Sequence, residues 1–255
     1  MKTPLKALNN RSGAFSALTK ILPDDCVTVH FPFFASGGLE LYLCALDKKV
    51  VGHTYHWCVE EFWACLKSNP QRLIDNIKFT VGYEYFEEKF FYYMQENFQT
   101  NADIFVRSAQ FFALNRCNED GQIFGGKFVG TKHINDLTYF NMKNLDLHNL
   151  SVRMHEESDT INILDSIESD QFIIATPPKF SHRLLPNAQI DTLISPNIDH
   201  TVLNDKLKLK DRWVVICDYH PKINELYSNY EIQYFNQNWS MVDKESAEEM
   251  IIVKS

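Results

Sequence analysis

The segment DQFIIATPPKF, residues 170–180, ends an apolar run in a proline pair. Pro177 and Pro178 cannot continue a hydrogen-bonded ladder, so they stop a strand and hold the chain extended. One hydroxyl, Thr176, stands just before them and can accept a hydrogen bond. Lys179 and Phe180 stand just after. The carboxyl end of a strand in an open α/β sheet is where such sheets bind ligands. The plain alternative is a strand that ends in a proline turn. Two other stretches have a related form. In VHFPFFASGGLE an apolar run reaches Pro32 and Phe33, then Gly37 and Gly38. Small residues there let backbone amides approach a ligand. In KKVVGHTYHW a run ends in His53, Tyr55 and His56, with Cys58 close behind. No second pair of ligands has zinc spacing, so no metal site is expected.

These stretches need a sheet to present them. Residues 13–22 carry Phe15, Leu18, Ile21 and Leu22 at helical spacing, closed by Pro23. VTVHFPFF reads as a strand, LELYLCAL as a helix and KKVVGHTYH as a second strand. VEEFWACLKSNPQRLIDNI is helical and broken near Asn69-Pro70. Such alternation predicts a parallel sheet with crossover helices. YEYFEEKFFYYMQENF and DIFVRSAQFFALNR then read as two helices whose aromatic stripe belongs to a core. RCNEDGQIFGGKFVGTK, residues 116–132, is a glycine-rich, locally basic loop or hairpin. It is either a surface for a partner or a plain turn region. Strands return in SVRMHEES, DQFIIATPP, DRWVVICDY, EIQYFNQNW and EEMIIVKS, with helices predicted at INILDSI and HPKINELYSNY. The predicted organisation is one α/β unit, residues 1–66 and 146–255, split by a mainly helical insert, residues 67–145.

Composition narrows the classes. The 255 residues are 45 % hydrophobic and 23 % charged, a globular balance. The formal net charge of −8 argues against a broad surface for coating nucleic acid, though not against a local basic patch. Lys2, Lys6, Arg11 and Lys20 all stand before the first acid, Asp24, so the start is basic. The six cysteines include no C-x-x-C pair, and no secretory apolar segment opens the chain. The expectation is free thiols in a reducing cytoplasm. No apolar run approaches the roughly 18 residues of a membrane span.

The order of these stretches resembles the Dam-type DNA adenine methyltransferases. TPLKALNNRSGAFSALTKILP resembles the family's opening turn and helix. VHFPFFASGGLELYL resembles its cofactor-loop motif E-P-F-x-G-x-G, and DQFIIATPPKF falls at D-F-x-Y-x-D-P-P-Y. RSAQFFALNRCNEDGQIFGGKFVG resembles the insert segment, and RWVVICDYHPKINELYSNYEIQYF the closing strand-helix-strand. The resemblance implies a Rossmann-like S-adenosylmethionine methyltransferase sheet with an inserted target-recognition domain. It implies Arg11, Phe33, Gly37, Gly38 and His53 at the cofactor. It implies Thr176, Pro177, Pro178 and Phe180 at a base flipped from the duplex, and Arg107, Asn115, Arg116, Asn118 and Lys127 on DNA.

The same motifs depart from the pattern. Phe31 replaces the usual acid before the proline, and Ala35 stands at the first glycine. His53 stands where a carboxylate would hold the two ribose hydroxyls, a loss on the order of 1.5–3 kcal/mol. Arg11 replaces Lys, Thr176 replaces an acid or amide, and Lys179 replaces the stacking aromatic. Three readings follow. One is a divergent enzyme transferring methyl from S-adenosylmethionine to adenine N6 or cytosine N4. The second, slightly favoured, is a pseudoenzyme that binds double-stranded DNA, a protein partner or another copy of itself. The third is a different reaction using His53, Tyr55 and His56. The pseudoenzyme reading carries a specific expectation: Phe31, Phe34 or Tyr55 should fill the former cofactor space.

Overall fold

A computed structural model describes residues 3–6, 11–82, 86–119, 121, 123, 126–156, 161–177 and 198–254. Pro178 and Phe180 lie outside the described residues. Seven strands form one sheet: β1 (Thr28–Phe31), β2 (Lys49–Thr54), β3 (Leu150–Met154), β4 (Phe172–Ala175), β5 (Trp213–Asp218), β6 (Glu231–Phe235) and β7 (Glu249–Lys254). Their order is β3-β2-β1-β4-β5-β7-β6. The first five are parallel, and β7 runs antiparallel to both neighbours. Strands β4 and β5 are almost fully apolar and buried, as expected of parallel strands covered on both faces. The protein is therefore α/β, with a mostly parallel, Rossmann-like sheet.

Helices α1 (Phe15–Ile21), α2 (Gly38–Cys44) and α3 (Trp57–Ser68) alternate with the first two strands. Between β2 and β3 come α4 (Pro70–Val81), α5 (Glu88–Asn97), α6 (Ile104–Arg116) and α7 (Asp136–Lys143). Local chemistry explains the boundaries. Asn69 ends α3, and its side chain accepts from the Arg72 amide while Pro70 opens α4. Asp103 caps α6 in the same way through the Phe105 amide. Asn135 and Thr138 form a reciprocal capping box on α7. Neither α7 nor the later α8 (His200–Lys208) was among the predicted helices. The predicted helix at INILDSI is a single 3-10 turn, Asn162–Ser166. HPKINELYSNY shortens to α9 (Pro221–Leu226).

The aromatic stripe of the helical segment is core. Phe62 of α3 stacks on Phe112 of α6 and meets Phe111 edge-on, each at 5.8 Å between ring centres. Phe91, Phe98, Phe111 and Phe112 are buried in the same apolar cluster as the strands. All six cysteines are buried free thiols. No helix among the described residues is long and apolar enough to cross a membrane. Replacing Phe62 with Ala removes the ring that joins α3 to α6. It should lower unfolding free energy by about 3–5 kcal/mol, measured by denaturant titration. A loss below about 1 kcal/mol would mean that α6 is not held by this contact.

Candidate functional site

Strands β1 and β4 are neighbours, but the chain leaves them toward opposite sides of the sheet. That switch point is where open α/β sheets bind ligands. The loop between β1 and α2 stands there beside the end of β4. Its Phe33 carbonyl meets Thr176, Gly37 and Gly38 close the same loop at the start of α2, and His53 lies on the neighbouring strand β2. Yet the loop is buried throughout: Phe33 is 2 % exposed, Phe34 1 % and Ser36 4 %.

Glycine positions explain how it closes. A Cβ on Gly52 of β2 would fall 2.6 Å from Cγ of Phe34, so the Phe34 ring fills the place of the missing side chain. The Phe34 amide donates to the His53 carbonyl at 2.9 Å. Its ring meets Trp63 of α3 edge-on at 5.8 Å. Gly37 adopts φ 77° at the start of α2, where a Cβ would press Trp63 at 2.7 Å. Left-handed backbone against an indole leaves glycine as the fitting residue. The Thr176 hydroxyl, 7 % exposed as a residue, faces the Phe33 carbonyl at a long 3.5 Å. Thr3 donates its hydroxyl to the Ser36 carbonyl. Of the three residues expected to fill this space, Phe34 packs against the loop and the end of β2. Phe31 is buried in β1, and the Tyr55 ring instead lies tilted against His56, 4.1 Å between ring centres.

His53 belongs to a chain of imidazoles across three strand ends. His30 Nδ1 lies 3.2 Å from His53 Nε2, and His53 Nδ1 lies 2.8 Å from His155 Nε2. A neutral His53 carries one ring proton, so it donates one of these bonds and accepts the other. Burial, then His155, His30 and Arg153, pushes His53 down to about 3. Burial and Arg153 lower His30 as well. Near neutral pH His30 and His53 are therefore uncharged imidazoles at the strand ends. Glu40, in the first turn of α2, is 5 % exposed, and burial raises its carboxyl to about 7. Among the described residues no three metal-ligating side chains converge as a cation site.

Arg11 is committed to carboxylates. It bonds Asp218 at 2.9 Å and Glu249, at the ends of β5 and β7. Its side chain is 3 % exposed, and it ties the N-terminal segment to the sheet.

The five expected DNA residues separate. Arg107 pairs with Glu61 of α3 and lies over Trp57. Asn115 is fully buried; it accepts from the Lys6 amide at 2.8 Å and donates to the Lys6 and Gly121 carbonyls. Asn118 is buried against Gly126, and its carbonyl accepts from Lys6 Nζ. Arg116 is half-buried, donating to the His133 carbonyl at 3.1 Å, and Lys127 is exposed. Lys6, Lys132 and Arg116, after burial, hold His133 below its ordinary value. That marks a basic region in an acidic chain.

Sequence reasoning missed His30 and His155 as partners of His53, and Asp218 and Glu249 as partners of Arg11. No family model matches the chain, and no curated protein matches it.

Two expectations follow. Gly52→Ala forces Phe34 out of place and should cost about 1–3 kcal/mol; an unchanged thermal midpoint would contradict the packing. The second concerns pH. His53 folds neutral with its pKa lowered, so below about 6.5 only the unfolded chain binds that proton. Stability then falls with pH by about 1.4 kcal/mol per unit per group until about pH 3. Glu40 has the opposite sign: its raised pKa makes stability fall as pH rises from about 4.5 to about 7. The stability difference between wild type and His53→Gln should therefore slope with pH over 3–6.5. That between wild type and Glu40→Gln should slope the other way up to pH 7. Parallel pH curves for all three proteins would contradict both assignments.

Proposed function

We propose that this chain is a Dam-type methyltransferase-fold protein that no longer binds S-adenosylmethionine. It acts as a DNA-binding or partner-binding module. The observation that carries the reading is the closed switch point. Phe34 packs on Gly52, and the His53–His155 bond spans the strand ends where the resemblance puts the cofactor's ribose. A ligand there would have to expel a buried phenylalanine, at about 1.5–3 kcal/mol, and would meet no ionised carboxylate at position 53. The strand order through β5 is that of doubly wound nucleotide-binding sheets. The closing β5-α9-β6 unit agrees with the strand-helix-strand tail of the resemblance. Both support descent from a cofactor-binding fold.

For the DNA side, the support is the basic region around Arg116, Lys127 and Lys132, within the helical segment that would be the target-recognition insert. Arg107, Asn115 and Asn118 serve as internal braces in this reading. The test has two arms on the full chain. With labelled S-adenosylmethionine and duplex DNA carrying many sequences, no methyl should appear on adenine N6 or cytosine N4. With labelled duplex alone, binding should weaken with salt, and Lys127→Gln should reduce the log–log salt slope by about 0.9 per lost phosphate contact. Methyl transfer would restore the active-enzyme reading. Absence of any duplex binding at low salt would leave a protein partner as the module's target.

A further inference from the structure

A second feature stands apart from the closed crevice. The C-terminal end of α6, residues 132–135 and α7 enclose a cleft of about 210 Å³ with Thr3 and Pro4 at its edge. Arg116, Lys132 and His133 line it together with Asn141, Met142 and Leu145. Arg116 is the unusual member. Its guanidinium is half-buried and donates to the carbonyl of His133, while its Nε is buried with no hydrogen-bond partner among the described residues. Burial acts against its charge, and among the described residues no carboxylate offsets it. Buried guanidinium groups are normally matched by an anion, because an unmatched buried charge is expensive. Arg107, nine residues earlier on the same helix, shows the matched case with Glu61. Lys132 adds a second cation on an exposed side chain, and His133 feels both of them together with Lys6.

We infer that this cleft binds the phosphate group of a small phosphate ester, with Arg116 and Lys132 on the phosphate and Met142 and Leu145 against the organic part. The cleft is smaller than the roughly 300–1,000 Å³ of drug-sized pockets, which limits the occupant to about the size of a mononucleotide. Arg116 offers planar, directed donors and Lys132 a mobile point charge, the two usual ways of holding a phosphate. Asn141 supplies an amide at the rim that can pair with a base edge or a hydroxyl. The inference goes beyond the proposed function, because the cleft would hold a free phosphate ester whether or not the chain binds duplex DNA. The phosphate could reach it on a free nucleotide or at a nucleic-acid strand, and the test separates these sources.

The experiment titrates the full chain with inorganic phosphate, with deoxyadenosine 5′-monophosphate and with a short DNA duplex. It follows binding by calorimetry and the His133 ring by NMR. The expected result is saturable binding of the mononucleotide, tighter than inorganic phosphate. The His133 pKa should move upward on binding, because an anion now stands among its cationic neighbours. Lys132→Gln should weaken binding about tenfold with an unchanged thermal midpoint, since Lys132 is exposed. Arg116→Met should weaken it at least as much. Duplex binding that the mononucleotide displaces, with the same dependence on Lys132, would also support the inference and assign the phosphate to a nucleic-acid strand. Duplex binding with no mononucleotide binding or competition would overturn the cleft as a pocket while leaving the DNA reading intact. No binding of phosphate or mononucleotide at several millimolar, with the His133 pKa unmoved, would overturn it outright.

Discussion

Gly52 leaves a gap in the surface of β2, and the Phe34 ring occupies it. The arrangement of the switch point depends on that contact. With Phe34 seated, its amide reaches the His53 carbonyl and its ring edge reaches Trp63. Trp63 in turn leaves no room for a side chain at Gly37, where α2 begins. Two carbonyls of the loop meet hydroxyls, Ser36 from Thr3 and Phe33, at longer range, from Thr176. A loop that open α/β sheets turn toward a ligand is here packed like core. Such packing is stable because apolar area leaves water and the loop's polar backbone finds partners inside the protein.

The electrostatics point the same way. A site built to bind a charged, hydroxyl-rich cofactor would present ionised groups and free donors. Here His30 and His155 take up both ring nitrogens of His53, and burial disfavours charge on His30 and His53. Burial also favours the protonated form of Glu40. Arg11 has its charge matched by Asp218 and Glu249. Among the described residues, positive charge gathers instead around Arg116 and Lys132, at and beyond the C-terminal end of α6. The strand ends are thus closed and neutral, and cationic side chains are exposed in the helical segment.

Much of the fold was legible because it is written in local periodicity. The strand runs at Val29, Val50, Ile173 and Val214 and the proline break between α3 and α4 were read where they occur. Helix α7 was not read although its signal is present: Asn135 and Thr138 at capping-box spacing open a segment that buries little besides Met142. The site was legible in position but not in partnership. His53 meets His30 from 23 positions away and His155 from 102, and those meetings are set by strand register and sheet order. The same holds for Arg107 and Asn115. As residue types they suit DNA contact, and only the packing of α6 on α3 and on the N-terminal segment turns them inward. Phe34 is the intermediate case. Its bulk suggested a filled space, but the gap it fills is created by a glycine on the next strand.

The central claim is that the switch point is closed to cofactor. Calorimetric titration of the purified full chain with S-adenosylhomocysteine tests it most directly, because that ligand needs no reaction to be seen. The account predicts no saturable heat and no rise in thermal midpoint up to millimolar ligand. Micromolar binding would contradict it, since Phe34 and the His53–His155 bond would then have to yield to a ligand at little cost.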